Sequence, residues 1–485
     1  MNIATSTLNS LAGAGGVRHM AARWLLTAEL KLLSAAHFGG EQSVDGVDML
    51  VLRDPFTGEA ILPGTSLGGA LRSHLTDVLQ GYFTDEHDHH VAKLFGGRSG
   101  DAEGDQSPLI VFEARAEAVS EIRDGVTIND KSGTAEEHFK YDMEVLPAGT
   151  TFQVRFELIL APDDDENELL TLLTTAVDGL SDASIAMGMR RSRGLGQLCA
   201  TNWRAARFNL TNQEGWMQWL LTDHEKPIPE AKPFATAMEA VSAAGAKDVR
   251  SLANTEGDKR NRLIVRARLH AENGLLIRSA GVEADAPDAV HLTSGGKPVV
   301  SGTSMAGSLR NHALKQSSVV RQRQSDRHAW VDRLFGPDND AQQKKKALTA
   351  SKLRVTENFV EPEEVIRVTR IQLDRFTQGV LPGGLFEEEV VCGGTFNLRL
   401  ELRNPDDAAA GCLLLLLKDL LAGDLTVGGT ASVGRGVVKG DASIEWRHKN
   451  LVVSSAASAT PEQTVLLTEY IAAFNTAELK EVPAC

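Results

Sequence analysis

Apolar and polar positions alternate along two widely separated stretches of the chain. Apolar side chains occupy every second position over 152–158 and again over 396–402. A period of two predicts β-strands with one buried face. The apolar runs 24–33 and 263–269 predict two further strands. Each alternating strand is followed by a Pro-Asp-Asp turn and a leucine-rich stretch, which predicts a helix.

The same short sequence blocks occur twice in the same order. Their offset stays close to 240 positions throughout, so a chance match of glycine-rich turns is a poor explanation. The blocks are Pro63–Arg72 with Ser301–Arg310, Leu94–Gly96 with Leu334–Gly336, Gly149–Phe152 with Gly394–Phe396, Pro162–Asp164 with Pro405–Asp407, and Gly188–Gly196 with Gly428–Gly436. The chain is therefore predicted to contain two copies of one fold.

The repeat defines the domain boundaries. The predicted segments are a flexible N-terminal arm over 1–22, a first repeat over 23–205, a linker with short helices over 206–262, a second repeat over 263–446, and a C-terminal linker and helix over 447–485. Within each repeat, the blocks after the first strand predict a helix that starts at Leu67 or Met305, with Ser66 or Ser304 as its N-cap.

The order of predicted elements indicates the fold class. The predicted elements of each repeat follow the order strand, helix, strand, helix, glycine loop and strand. A long insert is large enough to contain one more strand. This order predicts an α+β protein made of two tandem ferredoxin-like sandwiches, each with a large insertion. RNA-recognition modules share this topology and face RNA with their open sheet and loops.

Charge limits the kind of nucleic-acid binding that is possible. The formal net charge is −15 at pH 7, which argues against non-specific binding through phosphate neutralisation. Basic residues are locally concentrated, because residues 186–205 carry four arginines and no acid, and 297–327 carry six Lys or Arg against one acid. No apolar run reaches the roughly 20 residues of a membrane span, and four scattered cysteines without a CxxC pair indicate a reducing cytoplasm.

These motifs resemble the RAMP superfamily of CRISPR-associated proteins, above all the backbone subunits of type III effector complexes. The family pattern is a loop aspartate before an Arg-Asp-Pro turn, then a Pro-Gly-Ser-Ser-Leu-Lys-Gly-x-Leu-Arg element and a late glycine loop. Residues 46–55 run directly into 63–72 in this way, and the inserts 123–150 and 369–387 resemble the family's thumb hairpin. The fused tandem is similar to type III-D variants.

Two departures from the family pattern affect the expected RNA contacts. The family's lysine in the helix-start element is Gly68 in one copy and Ala306 in the other. The second glycine loop retains only one arginine. Glycine loops and arginines favour phosphate binding, so the resemblance implies guide-RNA contacts at Ser66, Arg72, Arg190, Arg191, Arg193, Gly194, Gly196, Ser304, Arg310, Gly434, Arg435 and Gly436.

The resemblance also implies cleavage of target RNA by loop aspartates. Asp48 matches the family aspartate by its position before the Arg-Asp-Pro turn, and Asp45 is a near alternative. Asp288 is the corresponding residue of the second copy, with Asp285 as its alternative. A carboxylate at such a site can bind a divalent ion, here Mg²⁺, or assist proton transfer. No set of metal ligands is identified from the sequence.

Three functions remain open at this stage. The first is a guide-RNA-binding subunit that cleaves complementary target RNA as a metal-dependent endoribonuclease in the cytoplasm. Its implied partners are the guide RNA (crRNA), target RNA, a large signalling or polymerase-like subunit and small subunits, without a membrane. The second is a non-catalytic scaffold in the same complex. The third is a guide-processing endonuclease, for which His312, two residues after the second helix-start element, is considered as a catalytic histidine.

Overall fold

The structure is a computed structural model, and it describes residues 20–42, 47–84, 89–97, 106–129, 134–226, 231–281, 285–320, 324–337, 349–447, 449–454 and 461–476. The predicted N-terminal arm up to residue 19 and the linker 455–460 lie outside these residues. Helices and strands are mixed along the chain, so the prediction of an α+β fold is confirmed.

The first repeat contains strands β1 (Ala22–Leu32), β2 (Gly39–Gln42), β3 (Met49–Val51), β4 (Ala60–Leu62), β5 (Leu109–Val111), β6 (Ala114–Ala116), β7 (Glu121–Ile128), β8 (Ala135–Val145), β9 (Thr151–Leu160) and β10 (Leu198–Asn209). Its helices are α1 (Gly64–Gln80), α2 (His89–Phe95) and α3 (Glu166–Ser181), and the segment after it forms α4 (Gln213–Leu221) and α5 (Ala237–Ala243).

The second repeat contains strands β11 (Arg262–Ala271), β12 (Arg278–Ser279), β13 (Val290–His291), β14 (Thr293–Ser294), β15 (Lys297–Val300), β16 (Leu353–Val355), β17 (Asn358–Glu361), β18 (Glu364–Leu373), β19 (Val380–Cys392), β20 (Thr395–Arg403), β21 (Val438–Trp446) and β22 (Lys449–Ser454). Its helices are α6 (Gly302–Val320), α7 (Gln324–Phe335) and α8 (Asp407–Ala422), and α9 (Pro461–Thr476) follows.

The two repeats build their main sheets in the same strand order. In the first, β1 lies between β10 and β9, and β5 extends the sheet beyond β9. In the second, β11 lies between β21 and β20, with β16 beyond β20 and β22 on the opposite edge. All these pairings are antiparallel. Each repeat also carries a long hairpin outside its main sheet, formed by β7 and β8 or by β18 and β19.

The helices begin at different residues from those predicted. Helix α1 begins at Gly64 and α6 at Gly302, so Ser66 and Ser304 lie inside the first turns rather than at the N-caps. In α6 the cap is Ser301, whose hydroxyl accepts the Ser304 N–H at 3.2 Å. Pro63 precedes α1 without a side-chain cap. The predicted starts at Leu67 and Met305 lie three residues too late, because the backbone already has helical geometry from Gly64 and Gly302.

Each repeat has its own hydrophobic core between sheet and helices. In the first core, β1, β9 and β10 pack against α1 and α3, and side chains of α5 complete it. The predicted linker therefore supplies a helix to the first repeat, and Thr236 starts that helix with a capping box. In the second core, α9 covers α8, with Tyr470 and Phe474 buried.

A buried ion pair joins the two repeats. The Arg123 guanidinium on β7 forms two hydrogen bonds with the Glu357 carboxylate, one of them 3.0 Å between Nη2 and Oε1. The side chains are only 8% and 2% exposed. Glu357 also accepts the Ala35 N–H at 3.2 Å, so its carboxylate binds two parts of the first repeat.

A second polar layer lies between α1 and the second sheet. The Tyr82 hydroxyl donates to Glu401 at 3.2 Å, and Arg354 donates to the Ser184 carbonyl at 2.9 Å. Burial opposes ionisation of Glu401, but the arginines Arg354, Arg403 and Arg399 outweigh it and lower the pKa of Glu401 to about 2. Asp77 lies in the same layer, and burial raises its pKa to about 6 against the opposing effect of Arg403 and Arg354.

The Glu357→Gln variant tests the junction pair. It leaves the Arg123 guanidinium buried without a counter-charge, so we expect the free energy of unfolding to fall by about 3–5 kcal/mol. Urea denaturation measures this, and Glu363→Gln, an exposed acid of the same repeat, is the control. Equal stability of the two variants would contradict a stabilising role for the pair.

Asp77→Asn tests the polar layer through its pH dependence. Because the folded chain holds a proton on Asp77 that the unfolded chain has lost, stability falls as pH rises from about 4 to about 6. The variant lacks this titration and should be more stable than the wild type by at most about 3 kcal/mol at about pH 7, with little difference at about pH 4. Asp163→Asn, at an exposed position, should show the same difference from wild type at both values. A difference in the free energy of unfolding between Asp77→Asn and the wild type that does not change with pH would exclude this explanation.

Candidate RNA-binding and cleavage sites

The two glycine loops have the same backbone conformation. Arg190 and Thr430 adopt left-handed conformations with φ of 56° and 60°, a single 3₁₀ turn follows, and a left-handed glycine, Gly194 or Gly434, closes each loop. The loops also bond to equivalent partners, since Gly196 donates to the Ala35 carbonyl and Gly436 to the Gly274 carbonyl. The sequence repeat is therefore also a repeat of geometry.

The first glycine loop is packed against the second repeat. A Cβ on Gly194 would lie 2.5 Å from the Glu357 nitrogen, and a Cβ on Gly302 would lie 2.3 Å from the Arg193 carbonyl oxygen. Only glycine permits both approaches without displacing backbone. Arg191 and Arg193 are exposed, whereas Gly194 and Gly196 are buried.

A cavity of about 80 Å³ lies where the first loop meets the start of α6. Its polar lining includes three guanidinium-bearing residues, one carboxylate and three hydroxyls at the start of α6: Arg123, Arg190, Arg278, Asp124, Ser301, Thr303 and Ser304. The N-terminus of a helix favours anions because its first N–H groups have no partner within the helix. Cations, hydroxyls and a helix N-terminus together suit a phosphate group. Sequence analysis assigned Arg190 and Ser304 to separate copies, but the fold places both on one cavity.

Tyr141 holds Arg190 in place. The Arg190 guanidinium lies 4.4 Å from the centre of the Tyr141 ring and also donates to its hydroxyl. Tyr141 belongs to hairpin strand β8, so the hairpin and the glycine loop of the first repeat are linked at the cavity. Sequence reasoning did not identify Tyr141, because the contact depends on the way the hairpin folds back.

Arg72 and Arg310 occupy equivalent positions and make equivalent internal contacts. Arg72 donates to the Gly96 carbonyl at 3.3 Å, and Arg310 donates to the Gly336 carbonyl at 2.7 Å. Arg310 also pairs with Asp332 at 2.7 Å. These contacts tie the helix to the Leu-Phe-Gly block of the same repeat, which accounts for both arginines structurally. Their contact with RNA stays a prediction.

Arg435 differs from the arginines of the first loop. It is 9% exposed, and its Nη1 lies 2.7 Å from Glu388 on β19. Burial favours the neutral form of Glu388, but bonds from Arg435 and Arg278 and the charge of Arg370 outweigh it and lower the pKa of Glu388. Arg435 therefore points inward to the hairpin. Gly434, by contrast, is exposed at the tip of the second loop.

Asp48 and Asp288 have matching surroundings. Each is exposed and lies just before a residue that forms a parallel bridge to the second hairpin strand, Met49 to Met143 and Ala289 to Glu388. Each carboxylate accepts a backbone N–H of that strand at 2.9 Å, from Asp142 for Asp48 and from Glu387 for Asp288. The structure thus makes Asp288 the spatial equivalent of Asp48. Asp285 is exposed nearby, and Asp45 lies outside the described residues.

A carboxylate pair beside Asp48 was not predicted from the sequence. Asp124 and Asp142 lie opposite each other on β7 and β8. Burial and a hydrogen bond with Asp142 raise the pKa of Asp124, with Lys140 acting in the opposite direction. In the second hairpin the corresponding opposed pair is Thr369 and Glu387. Only the strand register reveals the pair, because the two aspartates are 18 positions apart in the sequence.

Within the described residues, no group of three or more His, Cys, Asp or Glu side chains is arranged to hold a metal ion. A site at Asp48 or Asp288 would therefore offer fewer than three ligands of these types from the described residues. This is compatible with Mg²⁺, which binds through one or two carboxylates together with substrate phosphates.

Comparison with known proteins assigns the family. The RAMP superfamily profile matches residues 29–199 and 268–439, which are two successive regions of this chain. No curated protein matches the chain. In the described part of the chain, no helix is long and apolar enough to cross a membrane. Since the two matched regions cover more than half of the polypeptide and coincide with its two repeats, the chain belongs to the RAMP superfamily of CRISPR-associated RNA-binding proteins and carries two of its units in tandem.

Proposed function

We propose that this chain is a guide-RNA-binding backbone subunit of a type III CRISPR effector complex and cleaves complementary target RNA at Asp48 and Asp288. The observation that carries the proposal is the matching geometry of these two aspartates. Both are exposed beside a long hairpin and bonded to its second strand at the same distance. Two equivalent sites in one chain suit cleavage at regular intervals along a bound duplex.

We infer that each unit is a ferredoxin-like RAMP domain with its hairpin as the thumb, and that the units are those predicted over 23–205 and 263–446. The strand order supports this, because the last strand, the first, the third and the second lie side by side in each main sheet. In this arrangement the hairpins β7–β8 and β18–β19 stand outside the sheets, where they can separate successive segments of a guide–target duplex.

The cavity at the junction is the proposed phosphate site for the guide. Arg190 and the hydroxyls at the start of α6 line it, and Arg191 and Arg193 are exposed on the same loop. Ser66, Arg72, Arg310 and the loop residues Gly434, Arg435 and Gly436 complete the proposed set. Of these, Arg72, Arg310 and Arg435 already have internal partners, so we rank them below the residues of the first loop.

The proposed chemistry is attack of a 2'-hydroxyl oxygen on the adjacent phosphorus, with departure of the 5'-oxygen. An in-line arrangement of these atoms is the main requirement, and a carboxylate can accept the proton of the attacking hydroxyl. Asp48 and Asp288 would be the carboxylates that accept this proton. A divalent ion, Mg²⁺, would stabilise charge on the phosphate when bound. The other proposed partners are a large signalling subunit and small subunits of the same complex, in the cytoplasm.

One observation favours a non-catalytic scaffold as the second candidate. The carboxylates of Asp48 and Asp288 already accept backbone hydrogen bonds, so they can serve to anchor the thumb hairpins instead. A guide-processing nuclease has less support, because His312 is bonded to Asp419 at 2.7 Å across the α6–α8 contact. That pairing gives the histidine a structural role within the second core.

Asp48→Ala and Asp288→Ala, each in the assembled complex, test cleavage. We expect each variant to lose cuts at its own position only, with the rate there falling about 10²–10⁴-fold, as for loss of a proton-transfer group. Sequencing of the target fragments identifies the missing cut. Asp45→Ala and Asp285→Ala are the matched controls and should retain all cuts. Unchanged cutting in both test variants, with guide binding intact, would support the scaffold.

Arg191→Ala and Arg193→Ala test guide binding. Each should weaken RNA binding and lower the slope of log K against log salt concentration by about 0.7, the value for one phosphate contact on a single strand. A filter-binding series at several salt concentrations gives the slope. Arg207→Ala removes an arginine that pairs with Glu166 on another side of the first repeat and should leave the slope unchanged. A slope that stays at the wild-type value in all three variants would place the guide elsewhere.

A further inference from the structure

The junction between the repeats uses one face of each. The first repeat contributes its glycine loop and hairpin, and the second contributes the start of α6 and the segment 355–357. Each repeat also has the other face, here called its free face, on which Glu113 of the first repeat and Gly434 of the second are exposed among the described residues. A second copy of the chain could use these two free faces only if they repeat the chemistry of the junction.

The equivalent residues follow from the strand pairing. Phe112 donates to the Arg155 carbonyl and Thr356 to the Arg399 carbonyl, so Glu113 of the first repeat corresponds to Glu357. Arg123 lies opposite Met143 and Val368 opposite Glu388. Met143 and Glu388 are equivalent, because each forms the parallel bridge to the residue that follows the loop aspartate. Val368, which lies opposite Glu388, therefore corresponds to Arg123.

The central ion pair therefore has no counterpart between copies. Glu113 is present on the free face of the first repeat, about half exposed, and its carboxylate lies 2.8 Å from Arg115, two residues further along the chain. If a second copy of the chain bound to this face, Val368 of its second repeat would lie against Glu113. A copy seated there would desolvate Glu113 without adding the buried cation that Glu357 receives from Arg123, and an incompletely paired buried carboxylate is costly.

A second junction contact is also lost. Arg354 lies opposite Glu401 on the second sheet and donates to the Ser184 carbonyl. Its counterpart, opposite Glu157 on the first sheet, is Ile110, which cannot donate a hydrogen bond. The acidic Glu121, whose carboxylate accepts the Gly295 N–H at 2.8 Å, corresponds by the same strand register to Ile366.

The two glycine loops also differ in the cationic side chains that they carry. The first loop carries arginines at 190, 191 and 193, whereas the second carries Thr430, Ala431 and Val433 at these positions. Among the described residues, no atom lies within 4 Å of the place where a Cβ on Gly434 would stand. The tip of the second loop is thus open, and the loop lacks cationic side chains at the three positions where the first loop has arginines.

From these differences we infer that the two free faces of the chain are not complementary to each other. The first repeat selects as its neighbour a different polypeptide that brings a cationic side chain to Glu113, and a second copy is excluded. A head-to-tail contact between identical copies generates a ring if its rotation closes and an open filament if it does not. The side chains at 110, 366 and 368 prevent this. The inference depends on the equivalence of the repeats and not on cleavage.

A double variant of the second hairpin tests this inference, because it should allow a second copy of the chain to bind in the place of the neighbour. The double variant Val368→Arg with Ile366→Glu restores to the second hairpin the side chains that the first hairpin uses at the junction. We expect the full-length wild-type chain to stay monomeric in sedimentation equilibrium, with and without a uridine homopolymer. The double variant should self-associate at least about tenfold more tightly than the control Ile371→Arg, which places an arginine at an exposed site on the same strand.

Adding Glu113→Gln to the double variant should return self-association to the control value. This third measurement separates the specific contact from a general effect of added charge. The inference is overturned if the double variant associates no more than the control, or if Glu113→Gln leaves its association unchanged. It is also overturned if the wild type forms oligomers that Glu113→Gln weakens. Wild-type oligomers that Glu113→Gln does not affect use another face and leave the inference standing.

Discussion

The buried pair of Arg123 and Glu357 is the contact on which the arrangement of this molecule depends. Two charges so far from water are tolerated only when each satisfies the other, and here a further backbone N–H completes the carboxylate. The pair joins the hairpin of one repeat to the sheet of the other. It therefore fixes the glycine loop against α6 and, with it, the cavity that both repeats line.

Sequence alone was sufficient for the broad organisation of the chain. The repeated blocks and the alternating strands at 152–158 and 396–402 predicted two mixed α+β units, because hydrophobic periodicity and turn chemistry act over a few neighbouring residues. The helix starts were less accurate. Gly64 and Gly302 look like turn residues in isolation, and their close packing against other backbone explains why glycine occupies the first position of each helix.

The parts of the site that depend on distant contacts could not be predicted. Tyr141 beneath Arg190, and Asp124 opposite Asp142, come together through strand register and through the folding back of a hairpin. No local pattern encodes either contact. Arg435 also has a partner that no local pattern predicts, because Glu388 on the second hairpin bonds to it.

The covalent connection between the repeats is also well packed. Helix α5 is part of the first core, and the backbone of Lys259 bonds to the end of α1 through the Val78 carbonyl. These contacts and the buried ion pair hold the two halves together. A nucleic acid that lay along both Asp48 and Asp288 would therefore meet two sites whose spacing is set within a single polypeptide.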